Sequence, residues 1–376
     1  MAKRFQGVWI VMVLVLMNFS ISAQDWSDFK TIPEFQAIEG RQLQFRLSGT
    51  QFVRNNEFFN EFTEGFTGIG FFLRPQLELV HDTSSRIVLG LHGQKFAGLD
   101  TLSQLLPIVT YDIQINHHWR MVLGSIYGAL NHEIDEPLYR YDRYYQNNVE
   151  YGIQFLGTNP RWQTDTWLSW EKYIFKDDPH QEEFTFGSKN IFRAAEGENW
   201  RLKPSFLGMV KHKGGQFNES ELPVYLLLAG VLGAKLEVDR DGHEWSVEAK
   251  HFHYKENNSK DAYYTGSNSG HGVYYRLGHR KGGFEQLLGY WQGHRFASLE
   301  GEYLFSSDSE RWSDIYEAKR ELITAKVSHR LTFGKHLKGH LRLDTYTDIN
   351  TGDFAFSTSL FVFLDEVFEL WKGKKQ

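Results

Sequence analysis

Between Arg320 and Leu364 the chain alternates apolar and polar residues almost without exception, which is the pattern of strands whose two faces meet different surroundings. Ile323, Ala325, Val327, Leu331 and Phe333 alternate with Thr324, Lys326, Ser328, Arg330 and Thr332, and only His329 interrupts the apolar series. Leu337, Leu341 and Leu343 repeat the pattern against Lys338, His340, Arg342 and Asp344, with Gly339 on the apolar side. Gly334-Lys335-His336 between the two runs is short enough for a hairpin turn. A third run, Phe354 to Leu364, follows the turn Asn350-Thr351-Gly352-Asp353. Strands of about ten residues with one apolar and one charged face suit hydrocarbon on one side and a polar interior on the other.

A soluble sandwich also alternates, so the remainder of the chain decides. Lys3 and Arg4, an apolar stretch from Val8 to Met17 and the small-residue ending Ile21-Ser22-Ala23 make residues 1–23 an expected signal peptide. Residues 24–40 carry little pattern and read as a periplasmic or plug-like lead-in. The chain has no cysteine, so nothing rests on disulfides. Its 30 Phe, 18 Tyr and 11 Trp sit in a sequence of mean hydropathy -0.46. Many rings in a hydrophilic chain fit aromatic girdles around a wet lumen. A net charge of -6 implies no general attraction to nucleic acid.

The same alternation recurs along the chain. Leu43, Phe45 and Leu47 face away from Gln42, Gln44, Arg46 and Ser48; Ile69, Phe71, Leu73, Leu77 and Leu79 face away from Arg74, Gln76 and Glu78. Pro75 and Pro204 fall on the apolar faces, where each marks a bulge or a weak point in the ladder. The apolar run Val224 to Leu232 is too short to span as a helix and reads as a strand with apolar lumen residues. Short turns at Asp82, Asn116, Gly157 to Pro160 and Gly334 alternate with longer loops near 55, 100, 131–147, 177, 257–270 and 307–317. This predicts an all-β, transmembrane, antiparallel up-and-down barrel of about 16 strands (14 to 18) over 41–371, with a basic tail at 372–376.

The cleavable signal, the alternating strands Leu322 to Phe333 and Gly339 to Thr345, and the aromatic-rich Phe354 to Leu364 resemble the porin-like outer-membrane β-barrel proteins of Gram-negative bacteria. The resemblance implies a place in the outer membrane, contact with its lipid, and a pore for small polar or ionic solutes. It also implies a terminal aromatic, whereas this chain runs past Phe368 and Trp371 to a basic end.

Alternation assigns to the lumen Arg46, Arg74, Arg201, Lys203, Lys326, Arg330, Lys338 and Arg342, and against them Glu78, Asp112, Glu150, Asp165, Glu244, Glu248 and Asp344. Charges inside a pore set its selectivity, or bridge one another and fill it. The favoured expectation is therefore a channel without enzymatic activity. An alternative is a scaffold or surface-polysaccharide assembly component, with Tyr139, Arg140, Tyr141, Arg143, Tyr144 and Tyr145 of the long loop as contacts for a protein or glycan. A barrel lipase or protease ranks lower. Its candidates would be Ser267-Asn268-Ser269-Gly270-His271 with His251 and His253, since such an enzyme needs a hydroxyl and an imidazole together on the outer wall or rim. His251 and His253 offer only two metal ligands, and His117-His118 lies in a turn. No phosphate loop, nucleotide fingerprint or zinc motif appears, so no cofactor or metal is expected.

Overall fold

The computed structural model describes Phe29, Ile32 and Pro33, and residues 40–215, 223–257, 268–334 and 337–373. The expected signal segment, nearly all of the lead-in and the last three residues of the chain lie outside the described residues. The strands are β1 (Gln42–Phe58), β2 (Thr67–Val80), β3 (Ser85–Phe96), β4 (Gln104–Gln114), β5 (Trp119–Ile126), β6 (Glu150–Asn159), β7 (Trp162–Lys172) and β8 (Glu183–Phe192). They continue as β9 (Ala195–Glu196), β10 (Trp200–Lys213), β11 (Tyr225–Arg240), β12 (His243–Asn257), β13 (Ser269–Lys281), β14 (Phe284–His294), β15 (Lys319–Phe333), β16 (Leu337–Asp348) and β17 (Phe354–Lys372). β8 and β9 are successive parts of one stave against β10, and β17 pairs with β1, so the sheet closes as a 16-stave antiparallel barrel. Closure leaves no strand edge unpaired in the membrane.

Both prolines act on the ladder as expected. Partners of β2 and β3 jump from Leu73 and Gly93 to Gln76 and Gly90, passing over Pro75, while the ladder to β1 runs on unbroken. β8 leaves β10 at Ile191 opposite Ser205, and β9 rejoins it at Ala195 opposite Leu202. The gap lies beside Pro204, which has no N–H to donate.

Turns of two to four residues join strands at the end where β1 begins and β17 finishes; the longer connections lie at the other. In outer-membrane barrels short turns face the periplasm and long loops the cell surface. Leu77, Leu89, Leu105, Val109 and Leu341 are exposed on the outside, forming the lipid face. Trp119 and Trp162, with ring centroids 5.0 Å apart, and Trp200, Trp245 and Trp371 mark the periplasmic border; Trp170 and Phe184, 5.2 Å apart, belong to the opposite one.

β1 and β17 are longer than the alternation alone suggests, at 17 and 19 residues. The loop expected from Asn55 starts only after Phe58, because Arg54 and Asn56 turn inward to Asp142, at 3.2 and 3.4 Å. β17 carries its pairing as far as Lys372 opposite Gln42.

Among the described residues the lumen is occupied by two connections, 127–149 and 295–318. They run side by side, with the Arg140 N–H donating to the Glu300 carbonyl at 2.9 Å and the Glu302 N–H to the Glu136 carbonyl at 2.8 Å. Part of the lead-in is inside as well. Phe29 sets its ring edge to face with Tyr144, Phe361 and Phe363 at 5.0–5.4 Å, and the Pro33 carbonyl accepts from Arg120 at 2.9 Å.

Candidate functional site

Among the described residues two places concentrate reactive side chains: a patch of the outer wall on β12 to β15, and the filled lumen behind it. On β12 the inward residues Phe252 and Tyr254 are fully buried, so His251 and His253 point outward, where both are exposed. The same phase puts Ser269 and His271 of β13 and His294 of β14 outside, all exposed. In register, His253 stands opposite His271, His271 opposite His294, and His294 opposite Lys319. The His271 ring lies 5.5 Å from that of His294 and 6.2 Å from that of His251, nearly parallel to the latter.

One outward row toward the periplasm, Gln292 faces Glu321. The Glu321 carboxylate accepts from Tyr290 Oη at 2.6 Å and Gln292 Nε2 at 3.0 Å, and pairs with Lys319 at 2.7 Å. On β2 the corresponding face is apolar from Ile69 to Leu79. On β13 only Val273, Tyr275 and Leu277 separate His271 from His279. The polar row lies at the end of the wall that carries the long connections, the cell-surface end in outer-membrane barrels. Imidazoles beside a hydroxyl can accept and return the proton of an attacking oxygen. Among the described residues no group of three or more His, Asp or Glu is placed to hold a metal ion.

Inside, the acids of 127–149 are tied to cations spread around the wall. Glu133 meets Lys189 of β8 at 3.4 Å, and Asp135 meets Lys250 of β12 at 2.8 Å and Arg276 of β13 at 2.7 Å. Glu136 meets Lys326 of β15, and Asp142 meets Arg54 of β1. Burial disfavours the Asp135 charge, but Arg276 and Lys250 outweigh it and hold the carboxyl well below its usual range. Arg143 and Lys211 converge on Glu300 of the second connection. Removing one partner of such a buried pair leaves an uncompensated charge.

The residues assigned to the lumen are found there, mostly engaged. Arg46 bonds Asp365 and Glu78, Arg74 bonds His92 and Asn148, and Asp112 accepts from Arg86 and Arg120. Glu150 takes the Ala129 N–H at 2.8 Å and Tyr139 Oη at 3.1 Å, while Asp165 meets His132 at 2.7 Å. Arg201 and Lys203 share Glu237; Glu244 meets Arg280, Glu248 meets Lys250 and Arg276, and Arg330 lies 3.7 Å from Glu285. Arg342 bonds Asp344 and Tyr141. Lys338 stands at the periplasmic mouth, beside a cavity it shares with Arg46 and Asp365.

The tyrosine-rich loop does not project outward. Tyr139, Tyr141, Tyr144 and Tyr145 are buried in the lumen, Arg143 pairs with Glu300, and only Arg140 lies near the rim, 2.6 Å from Glu310. The rings fold inward because guanidinium groups wait for them: Arg54 and Arg342 lie 5.5 and 4.1 Å from the Tyr141 centroid. Of the enzymatic candidates, Ser269, His271, His251 and His253 come together on the wall, and Ser267 lies outside the described residues. His117 and His118 sit at the periplasmic end, His118 Nδ1 facing the Thr158 carbonyl at 3.0 Å. His294 was not singled out from sequence, although its outward phase on β14 was available as a signal.

A model of the family described as "Lipid A 3'-O-deacylase-type" matches residues 35–373. No curated protein matches. Among solved structures, a loop L8 deletion mutant of OmpT, an outer membrane protein of Vibrio cholerae, is 7% identical with a TM-score of 0.51, over 86% of this chain and 100% of that one. A BenF-like porin from Pseudomonas fluorescens is 10% identical with a TM-score of 0.49, over 89% and 100%. OpdK of Pseudomonas aeruginosa, solved with vanillate, is 9% identical with a TM-score of 0.47, over 87% and 99%. The first of these supports the outer-membrane barrel fold, at an identity that speaks to fold alone. The family match overturns the expectation of a barrel without enzymatic activity. The meeting of His253, His271 and His294 was hidden in the sequence because they become neighbours only through pairing of separate strands.

Proposed function

The chain belongs to the lipid A 3'-O-deacylase-type family, and on that premise we propose that it hydrolyses an acyl ester of a lipid A-type glycolipid in the outer leaflet, at the histidine row of β12–β14. The observation that carries this reading is the run of exposed imidazoles His253, His271 and His294, adjacent in register on an outer wall whose other strands, such as β2, present mainly apolar side chains. In the proposed reaction Ser269 Oγ attacks the ester carbonyl while His271 or His253 takes its proton. The same imidazole returns the proton to the departing sugar oxygen, and water then releases the fatty acid from the serine. Ser269 is one outward step from His271 on the same strand and diagonal to His253, about 7 Å in each case, a gap that an imidazole can span. Val273, Tyr275 and Leu277 below would lie along the acyl chains.

The test is mass spectrometry of hexa-acylated lipid A incubated with the full-length protein in detergent micelles. Loss of one acyl chain, slowed about 100-fold or more by His271→Ala together with His253→Ala, is the expected result. An inactive wild type, or undiminished activity in that double variant, refutes the assignment.

Passive passage of small solutes is a second reading, favoured by two lumen cavities of about 400 Å³ each. The connection 127–149, tied across the lumen, weighs against it. Absence of steady conductance in planar bilayers would remove it.

A further inference from the structure

One of these cavities has a charge imbalance that the outer-wall chemistry does not use. It occupies the periplasmic half of the lumen beside β8 and β10–β13, has a volume of about 400 Å³, and is lined among the described residues by nine lysines and arginines but five carboxylates. Half of that excess of four positive charges lies around one glutamate. Lys203 of β10 and Lys235 of β11 stand directly opposite each other in register. Like charges so placed repel. Arg201 is the third cation, and all three converge on Glu237, at 3.2 Å from Arg201, 2.6 Å from Lys203 and 3.0 Å from Lys235. A single carboxylate thus neutralises three cations, with Asp239 helping only at Arg201. Farther along the lining, Arg161 adds an exposed guanidinium group at the periplasmic mouth, while Arg193 there pairs with Glu196 at 3.1 Å.

We propose that this cavity is a binding site for a small multivalent anion of the phosphate or polycarboxylate class, entering from the periplasm. The size suits a small molecule, and an excess of one sign of charge between low-dielectric walls favours an ion of the opposite sign. Lys203 and Lys235 would contact it, relieving their mutual repulsion. The exposed guanidinium group of Arg161 would draw it in.

The experiment is isothermal titration of the purified full-length barrel, in an uncharged detergent, with inorganic pyrophosphate and separately with a tricarboxylate. Saturable binding of at least one, weakening as salt rises, is expected. Lys203→Ala combined with Lys235→Ala should weaken it about tenfold or more, and Glu237→Gln should tighten it. The tightening matters because a misfolded variant cannot produce it. Stronger binding of pyrophosphate identifies a phosphate site, and stronger binding of the tricarboxylate a carboxylate site. No heat with either anion, or binding that Glu237→Gln leaves unchanged or weakens, overturns the proposal. Deacylation of lipid A is read separately, so neither result decides the other.

Discussion

His132 stacks on Trp167 with ring centroids 3.7 Å apart and an angle of 16° between the planes. That contact holds the imidazole between two carboxylates, with Nδ1 2.7 Å from Asp165 and Nε2 3.5 Å from Glu150. Burial opposes a charge on the ring, but Asp165 and Glu150 outweigh it and raise its pKa to about 9. A raised pKa contributes stability that is complete below the unfolded value near 6.5 and is lost as pH climbs through about 9. The first prediction is that the midpoint of heat-induced unfolding, followed by the gel shift of the folded barrel, falls between pH 6.5 and 10. The contribution is roughly 2–4 kcal/mol. His132→Gln should flatten that part of the profile. An equal fall in the variant would assign it to other groups.

Glu302 gives a second pH dependence with its own window. It is buried in the connection 295–318, and burial, then the nearby charge of Asp142, raise its pKa to about 8 despite Arg140; Glu136 and Glu310 add to the rise. The folded state therefore favours the protonated acid. This stabilisation is complete below the unfolded value of 4.5 and disappears as pH rises through about 8. Glu302→Gln keeps the neutral form at every pH. It should remove the decline between pH 5 and 8 and leave the variant more resistant than wild type to protease cleavage in 295–318 at pH 9. Equal cleavage rates at pH 9 would show that Glu302 is not under this strain.

The barrel, its closure and its lipid face were legible in the sequence because each depends on one local rule. The phase of Leu337, Leu341 and Leu343 against His340 and Arg342 decides which side chains meet lipid, whatever the neighbouring strands do. Proline positions were legible for the same reason: a missing N–H at Pro204 acts on the next strand wherever that strand lies. The lumen was not. Tyr141 belongs inside only because Arg54, Lys326 and Arg342, from three other strands, are there to meet it. No property of the segment 139–145 contains that information. The outer-wall row was half legible. His251, Ser269 and His271 could be named as residue types, but their meeting with His294 depends on the register of β13 with β14.

Lys326 and Glu136 test how firmly the lumen connection is tied. Both are buried, the ammonium meets the carboxylate directly, and Tyr346 Oη donates to the other carboxylate oxygen at 2.8 Å. Lys326→Met should destabilise the barrel by roughly 3–5 kcal/mol, because Glu136 is left buried and charged. Adding Glu136→Gln should restore most of the loss, since the orphaned charge is then gone. A double-mutant cycle on denaturant midpoints checks this, and strict additivity of the two losses would show that the pair is not coupled.

Gly270 provides a steric test of how the wall and the second connection are joined. It lies between Ser269 and His271 and faces inward, where a Cβ would come within 1.8 Å of the Arg295 carbonyl oxygen and 2.6 Å of the Phe296 nitrogen. Both are backbone atoms at the start of the connection 295–318, so no side-chain rotation can relieve the overlap. Gly230, on β11, offers a matched control, for a Cβ there meets nothing within 4 Å. Gly270→Ala should cost roughly 1–3 kcal/mol and increase proteolysis of 295–318, while Gly230→Ala should change stability by no more than about 0.5 kcal/mol. Because the same displacement shifts the strand end carrying Ser269 and His271, deacylation should fall in the first variant and persist in the second. Full activity in Gly270→Ala, despite a loosened connection, would separate the chemistry of the wall from the packing behind it.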